Sequence, residues 1–251
     1  MTEAILEAKK IVKEFGRFRA LDEVDITVEK GSLHAIIGPN GAGKTTFFNV
    51  VTGGLRPETG QVLFNGMDIT KWSPERRVYL GLGRAFQIVA LFPDLTVLEN
   101  LMIPLIMKNH KGMSMFYSPW GDRDIVSAAQ ELVEIVELKE KATLKAEALS
   151  HGDKKKLDIG IALASRPSLL VLDEPTSGLG PQETISVIDL IRRLHGEKNT
   201  SVVFVEHNMS VVLSIARKIT VLSEGKVIAE GNPEEIRQDK DVIEAYLGEE
   251  H

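Results

Sequence analysis

The stretch GPNGAGKT, from Gly38 to Thr45, constrains the fold of this chain more than any other part of the sequence. It matches the pattern G-x-x-x-x-G-K-[ST], whose glycines let the backbone turn tightly and direct successive N–H groups at phosphate oxygens. The apolar run SLHAIIG precedes the stretch, and we predict a helix from Lys44 onward. Because such a helix points its positive end at the same anion, the sequence predicts a phosphate-binding loop.

The side chains of this loop have predicted roles. Lys44 places a cation on the outer phosphates of a nucleotide, and Thr45 offers its hydroxyl to Mg²⁺. The predicted nucleotide-binding residues of the loop and the start of its helix are Gly38, Pro39, Asn40, Gly41, Ala42, Gly43, Lys44, Thr45 and Thr46. The loop alone predicts a nucleotide and leaves the reaction open.

A second predicted element is LLVLDEP, an apolar strand that ends in two acids. Asp173 is suited to support the Mg²⁺ shell. Glu174 can reach a water aligned with the γ-phosphate and act as general base or water-positioner. A strand-end pair of acids can also cap the following helix, but the phosphate loop favours the catalytic interpretation.

A histidine ends a further strand, in VFVEHN. In a parallel sheet, ligands bind at the carboxyl ends of the strands. The ends at Gly38, at Asp173 and Glu174, and at His207 would therefore meet, which favours a functional role for the imidazole. Gln87, in GRAFQ, is a further candidate as an oxygen donor to Mg²⁺ or water, and the residues alone leave its role open.

The order of the predicted elements indicates the fold class. Short alternating strands fill residues 5–36, and an Asn65-Gly66 pair predicts a hairpin turn. Apolar runs at 168–174, 201–207 and 218–225 alternate with helical stretches, as in a mainly parallel sheet. The pattern from 94 to 164 is helical. We therefore predict an α/β core with an antiparallel β subdomain and an inserted α-helical subdomain.

One segment within the helical region has two interpretations. Residues 108–124, KNHKGMSMFYSPWGDRD, mix charges, glycine and large apolar side chains. Such a loop usually packs back on its own helices. The alternative is contact with a partner.

Composition excludes several functions. The chain has 30 basic and 36 acidic residues, a net charge of −6, so nucleic acid is not expected as a partner. It has no cysteine, which excludes disulfides and thiolate metal sites. The N-terminus lacks a signal-peptide pattern, and no apolar run reaches the roughly 18 residues of a membrane helix. Any role at a membrane would therefore require a partner.

The arrangement of these motifs resembles the nucleotide-binding subunit of an ABC transporter. The resemblance covers essentially the whole chain. It is carried, in order, by the phosphate loop at 38–45, Gln87, the helical insertion, LSHGD at 149–153, LVLDEP at 170–175, SGLG at 177–180 and His207. It implies a P-loop NTPase of the RecA-like class that hydrolyses ATP. It also implies one ABC ATPase domain over 1–251, with its core in 1–87 and 165–251 and its helical subdomain in 88–164.

In that family the subunits pair head to tail, with ATP between the phosphate loop of one copy and the signature loop of the other. Ser150 and Gly152 would then contact the γ-phosphate bound by the partner copy. Phe15 matches the aromatic side chain that stacks on adenine. Gln87 matches the residue that links Mg²⁺ to the helical subdomain, and His207 matches the switch histidine.

Further motifs resemble one subfamily. The chain looks like the ATPases of branched-chain amino-acid importers and their urea or amide relatives in four stretches: GLGRAFQ, LFPDLTVLENL, VEHNM and the C-terminal IAEGNPEEI. LSHG is similar to the urea-type branch, and the tail also resembles the lipopolysaccharide-exporter ATPase. We expect the chain to be cytoplasmic and attached to the inner face of the cell membrane through transmembrane permease subunits. A second ATPase subunit is a further expected partner, and a solute-binding protein an indirect one. We expect no C-terminal regulatory domain, and the solute stays open.

Two departures from the family pattern bear on the paired ATP sites. The signature reads Leu149-Ser150-His151-Gly152-Asp153, and Gly180 replaces the usual aspartate of the next loop. Ser150-x-x-Asp153 before an apolar run is a capping-box pattern, in which Asp153 reaches back to the Ser150 N–H. The acid would lie near the phosphate in a closed dimer, where the lysines at 154–156 would offset its charge.

Two other functional classes compete with a transport ATPase. A soluble ABC ATPase of translation or DNA repair usually carries two cassettes or a long coiled coil, and this chain has one cassette and no sustained heptads. A P-loop kinase or GTPase would not explain the signature loop or His207.

Overall fold

The computed structural model describes residues 3–85, 91–108, 119–198 and 200–247. Within these ranges the chain forms a four-stranded and a six-stranded β-sheet with helices packed around them. Pairing is antiparallel throughout the first sheet and parallel between most neighbours of the second. The predicted fold class, a mainly parallel core with an antiparallel β subdomain, is confirmed.

The four-stranded sheet comes from the N-terminal part of the chain. Its strands are β1 (Ala4–Phe15), β2 (Phe18–Glu29), β4 (Thr59–Phe64) and β5 (Met67–Asp68), in the order β2-β1-β4-β5. Val24, Ile26 and Val28 alternate along β2 and are buried, so one face of the sheet packs on the core. Asn65 and Gly66 have φ angles of 48° and 76°, as in a type I′ turn, and the predicted hairpin is confirmed.

The six-stranded sheet carries the strand ends on which the predicted site depends. Its strands are β3 (Leu33–Ile37), β6 (Leu82–Ala85), β7 (Leu169–Asp173), β8 (Ser201–Val205), β9 (Lys218–Ser223) and β10 (Lys226–Gly231), in the order β10-β9-β3-β8-β7-β6. Each residue of β3, β7 and β8 is buried, which explains why their sequences are mostly apolar. β3, β7 and β8 are neighbours, so the residues that follow them meet at one edge of the sheet.

Helices from both halves of the chain surround this sheet. They are α1 (Lys44–Thr52), α2 (Pro74–Tyr79), α6 (Pro181–Lys198), α7 (Met209–Ile215), α8 (Pro233–Gln238) and α9 (Lys240–Leu247). The helix predicted from Lys44 begins at that residue. On α6, the apolar side chains of Val187, Leu190 and Ile191 are buried in the same core as residues of β3, β7 and β8, so this helix covers one face of the sheet.

The predicted helical insertion consists of α3 (Val97–Lys108), α4 (Arg123–Ile135) and α5 (His151–Leu163), which pack on one another. The prediction of helix from residue 94 was wrong by three residues. Thr96 Oγ1 accepts from the Glu99 N–H at 3.2 Å, and Glu99 Oε2 accepts from the Thr96 N–H at 2.8 Å. This reciprocal cap starts the helix after Thr96.

Most of the loop at 108–124 lies outside the described residues, so both interpretations of it stay open. The described part includes a 3₁₀ turn at Pro119–Gly121, followed by Asp122, which caps α4 by accepting from the Ile125 N–H. Among the helices that the structure describes, none is long and apolar enough to cross a bilayer.

Arg77, on α2, holds the far end of the helix that follows the phosphate loop. Its guanidinium donates to the carbonyl oxygens of Val50 at 2.8 Å, Val51 at 2.5 Å and Thr70 at 3.0 Å. The last carbonyls of a helix have no partner within the helix, so this side chain supplies one for α1. Burial lowers the pKa of Arg77 to about 10, which leaves the side chain charged at neutral pH.

Candidate nucleotide-binding site

The loop from Gly38 to Gly43 connects β3 to α1 and is shaped by its glycines. Gly38 has φ +150°, and a Cβ there would lie 2.0 Å from the carbonyl oxygen of Leu222. Gly43, the N-cap of α1, has φ +100°, and a Cβ there would lie 2.6 Å from the carbonyl oxygen of Ala20. Only glycine fits either position. Among the described residues no side chain caps α1, and its first turn holds no acid, so the helix start suits an anion.

Lys44 lies inside the curve of this loop. Its ammonium donates to the carbonyl oxygens of Gly38 at 2.6 Å and Pro39 at 2.7 Å, and the residue is buried. The ammonium is therefore held within the loop, against its first two residues. Thr45, one residue later, is exposed.

Asp173 ends β7 and has one paired and one unpaired carboxylate oxygen. Oδ2 accepts from Arg84 Nη2 at 3.2 Å, whereas buried Oδ1 has no hydrogen-bond partner among the described residues. Burial raises the pKa of Asp173, and the Arg84 cation opposes that rise. A buried carboxylate oxygen left without a donor is a fitting ligand for Mg²⁺ or for its bound water.

No cluster of three or more His, Cys, Asp or Glu within the described ranges could hold a metal by itself. Mg²⁺ commonly binds to one or two protein groups together with substrate phosphates. The Thr45 hydroxyl and Asp173 Oδ1 fit that donor chemistry.

Glu174 and His207 lie together, as the neighbouring strand ends predict. Glu174 Oε1 is 2.5 Å from His207 Nε2. The Glu174 backbone has φ +48°, a strained value for a residue with a side chain, and its N–H donates to the carbonyl of Val205 on β8. Lys155 Nζ donates to the Glu174 carbonyl oxygen at 3.3 Å. The strained backbone and its contacts fix the carboxylate of Glu174 beside the imidazole.

Glu206, which precedes His207, was missed in the sequence. It is buried, and its Oε1 accepts from the Thr176 N–H at 2.8 Å and from the Thr176 hydroxyl at 2.7 Å. These bonds connect the segment after Glu174 to the segment that carries His207. An acid that directly follows the apolar run SVVFV was the available signal, but its partner lies 30 residues away in the sequence.

Phe15 ends β1 and pairs across the hairpin with Phe18. Its ring is 49% exposed, and Lys13 Nζ lies 5.4 Å from the ring centroid. An exposed aromatic face of this kind can stack on a planar ring.

Ser150 and Gly152 lie at the start of α5, where an acid already contacts them. The Gly152 N–H donates to Glu183 Oε1 at 3.0 Å, and the Gly180 N–H donates to Glu183 Oε2 at 3.3 Å. These bonds, together with one to the Ser150 hydroxyl, lower the pKa of Glu183. The start of α5 is therefore occupied by a carboxylate of the same chain.

The predicted capping box at Ser150 is half right. Ser150 Oγ accepts from the Asp153 N–H at 3.2 Å, as predicted. The Asp153 carboxylate instead contacts the Ser150 hydroxyl and forms an ion pair with Lys141. The offset of the Asp153 charge by residues 154–156 was predicted for a closed dimer and stays a prediction. In the single chain, Lys155 contacts Glu174 and the ammonium of Lys156 pairs with Glu137. The pairing with Lys141, which precedes Asp153 by 12 residues, was not predicted.

Gln87 lies outside the described residues, so its predicted role stays a prediction. The other predicted residues that follow β3, β7 and β8 define a P-loop nucleotide-binding protein, since one edge of a parallel sheet carries the phosphate loop, the paired acids and the histidine.

Comparisons with known proteins identify a family within this class. The family model described as ABC transporter matches residues 21–177, and the one described as branched-chain amino acid ATP-binding cassette transporter matches residues 226–251. The high-affinity branched-chain amino acid transport ATP-binding protein BraF of Pseudomonas aeruginosa is 37% identical over 99% of this chain and 100% of its own length. A probable LivG protein of Methanocaldococcus jannaschii is 37% identical over 99% of both chains.

Solved structures that are similar to this chain belong to the same family. The ADP conformation of MJ1267, an ATP-binding cassette of an ABC transporter, has a TM-score of 0.89 and 34% identity, covering 99% of this chain and 100% of that one. The dimeric post-hydrolysis state of the cassette MJ0796, bound to ADP and Pi, has a TM-score of 0.77 and 28% identity, covering 91% of this chain and 98% of that one.

The chain therefore belongs to the ABC transporter ATP-binding family and, within it, to the branched-chain amino acid cassettes. Members of this family hydrolyse ATP to power transport, and this chain is an ATPase of that kind. Among the similar structures, MJ1267 is in its ADP conformation, MJ0796 is a dimer bound to ADP and Pi, and cbiO1 of Clostridium perfringens is part of the ABC transporter complex cbiONQ.

Proposed function

We propose that this chain powers the import of branched-chain amino acids as the ATPase subunit on the cytoplasmic face of a membrane transporter. The observation that carries the proposal is full-length similarity to BraF, a branched-chain amino acid transport protein, together with the family match over residues 226–251. We further propose that the core spans 1–87 and 165–251, and the helical subdomain 88–164.

In the proposed reaction, Phe15 stacks on adenine while the residues from Gly38 to Thr46 enclose the phosphates. Lys44 neutralises charge on the outer phosphates. Mg²⁺, held by Thr45, Asp173 and Gln87, would supply further positive charge to the phosphates. The geometry in support is the glycine-shaped loop, the enclosed Lys44 ammonium and the unpaired Oδ1 of Asp173 among the described residues.

Hydrolysis itself is assigned to Glu174 and His207. The Glu174 carboxylate positions the attacking water and accepts its proton, and His207 holds that carboxylate in place through the 2.5 Å contact. Phosphoryl transfer needs little covalent chemistry from the protein, so fixed positions and fixed charges provide most of the catalysis.

Two copies of the ATPase, or this chain and a second ATPase subunit, would enclose ATP head to tail. Ser150 and Gly152 of one copy would then donate to the γ-phosphate bound by the other. The Gly152 N–H at the start of α5 supports this assignment, because its present acceptor is an anion. Similarity to the dimeric MJ0796 cassette supports pairing.

An apolar groove between the core and the helical subdomain supports a permease as membrane partner. It is lined by α2, β6, α3 and α5, and includes exposed Val78, Tyr79 and Met107 beside Pro104 and Ile161. A short amphipathic helix of a permease would bury its apolar face in such a groove. A solute-binding protein would act on the permease and not on this chain.

Transport in membrane vesicles tests the proposal. Vesicles that contain the chain with its co-purified membrane subunits should accumulate labelled leucine when ATP is present, and vesicles with the Glu174→Gln variant should not. ATP-dependent uptake of urea without leucine would overturn the proposed substrate. Recovery of the tagged chain with ribosomes, and without a membrane protein, would overturn the transport role.

A further inference from the structure

Arg84 connects three elements around the predicted metal site. It lies on β6, next to β7, and its side chain is largely buried. Nη1 donates to Asn49 Oδ1 at 2.7 Å and to Thr52 Oγ1 at 2.8 Å, both on α1. Nη2 donates to Asp173 Oδ2 at 3.2 Å. One guanidinium therefore joins the helix of the phosphate loop to the strand that ends in the two acids.

The contact with Asp173 distinguishes the two oxygens of that carboxylate. Oδ2 is engaged by Arg84, and Oδ1 is buried with no hydrogen-bond partner within the described ranges. A carboxylate whose one oxygen is anchored cannot rotate freely, so the other oxygen keeps its direction. Removal of a side chain that fixes a metal ligand in this way typically weakens metal binding by about 10–100-fold.

The chemistry of the guanidinium suits this task better than that of an ammonium. Its planar fork places donors on opposite sides at fixed angles, so one group can hold Asp173 and α1 together. A lysine at the same position would offer a point charge and could not reproduce both contacts. The pairing also gives the buried acid a cation, and a buried carboxylate without one is costly.

We propose that Arg84 is a positioning residue for the metal ion that accompanies ATP, holding Asp173 by Oδ2 and leaving Oδ1 for the metal. The inference rests on the proposed nucleotide and Mg²⁺ site. Arg84 touches neither nucleotide nor water in this role. It acts through Asp173, while its bonds to Asn49 and Thr52 hold the guanidinium in place.

Mn²⁺, a paramagnetic substitute for Mg²⁺, provides a readout that does not depend on turnover. Binding of Mn²⁺ in the presence of ADP is measured by electron paramagnetic resonance for the parent chain and for Arg84→Met. We expect the variant to bind Mn²⁺ about 10–100-fold more weakly, the range found when the partner of a metal ligand is removed. Affinity for ADP in EDTA should stay at the parent value, because the phosphate loop is unchanged.

Two further variants keep the test decisive. Arg84→Lys retains a cation beside Asp173, so it remains informative if Arg84→Met fails to fold. Its Mn²⁺ affinity should show a smaller but measurable loss. Thr52→Val removes one contact of Arg84 with α1 and leaves the Asp173 pair, so its Mn²⁺ affinity should match the parent.

The inference is overturned if Arg84→Met and Arg84→Lys both bind Mn²⁺ like the parent, or if Thr52→Val loses as much affinity as Arg84→Met. A parent chain that binds ADP no better with Mn²⁺ than in EDTA would instead contradict the proposed metal site and the inference with it.

Discussion

The carboxylate of Glu183 accepts a hydrogen bond from the Gly152 N–H at 3.0 Å. The same side chain accepts from Gly180 and contacts Ser150, so it connects the loop at 177–180 with the start of α5. These donors at Ser150 and Gly152 are the ones proposed to bind the γ-phosphate held by a partner copy. An acid of the chain thus occupies the place of the anion.

The first prediction concerns this acid. In a background that cannot hydrolyse ATP, Glu183→Gln should form the ATP-dependent dimer at lower ATP concentration, because a neutral amide competes less well than a carboxylate for the Gly152 N–H. Dimer formation is followed by analytical ultracentrifugation across an ATP series.

Two variants control this measurement. Asp189→Asn changes an exposed acid on the same helix that pairs with Arg192, and should leave dimerisation unchanged. Asp153→Gln should have a smaller effect than Glu183→Gln, because Lys141 already neutralises Asp153. A Glu183→Gln protein that needs more ATP than the parent would show that the acid organises the loop for pairing.

The second prediction concerns Glu174, the proposed general base. Glu174→Gln should reduce the rate of ATP hydrolysis by about 10²–10⁴-fold, the range for loss of a general base, while the affinity for ATP stays near that of the parent. Phosphate release and binding of a fluorescent ATP analogue measure the two quantities. Lys44→Ala should instead weaken the binding of the nucleotide itself. Hydrolysis by Glu174→Gln at the parent rate would exclude Glu174 as the base.

The third prediction concerns buried His34 on β3. Its Nε2 lies 2.8 Å from Thr220 Oγ1, and Lys218, paired with Glu230 at 2.6 Å, is the nearby cation. Burial, with a smaller contribution from Lys218, lowers the pKa of His34 to about 3. Between the ordinary pKa and this value, the unfolded chain binds a proton that the folded protein does not, so stability falls as pH falls.

For His34 alone, the free energy of unfolding should drop by about 1 kcal/mol between pH 8 and pH 5.5. His34→Gln, which keeps a polar group toward Thr220, should show a shallower pH dependence than the parent. Urea unfolding at several pH values between 5.5 and 8 measures the pH dependence of the free energy of unfolding. Parallel pH curves for parent and variant would contradict the assignment.

The fourth prediction concerns the cap of α1. Arg77→Met should lower the free energy of unfolding by about 3 kcal/mol, because buried carbonyl oxygens at the end of α1 lose their donors. Arg76→Met, at an exposed neighbouring position, should change it little. Urea denaturation of both variants measures the two changes in the free energy of unfolding. Equal stability of the two would show that α1 does not depend on this guanidinium.

Short motifs of neighbouring residues were enough to predict much of the fold and of the candidate site. The phosphate loop, the acids after β7 and His207 could be predicted because each is a short motif at the end of an apolar strand. Parallel strands bring such ends to one edge whatever lies between them. The turn at Asn65-Gly66 was predictable for a similar reason, since two adjacent residues with positive φ define it.

Tertiary structure decided which side chains hold those motifs. Arg84 meets Asp173 across 89 positions, Glu183 meets Gly152 across 31, and Glu206 meets Thr176 across 30. None of these pairs leaves a local pattern, because an acid or arginine on a strand or helix looks alike whether it faces solvent or a distant partner. The packing of β6 against β7, of β7 against β8 and of α5 against α6 brings these partners together. For Arg84, Asp173 and Glu206, burial selects the partner, because an unpaired buried charge is costly.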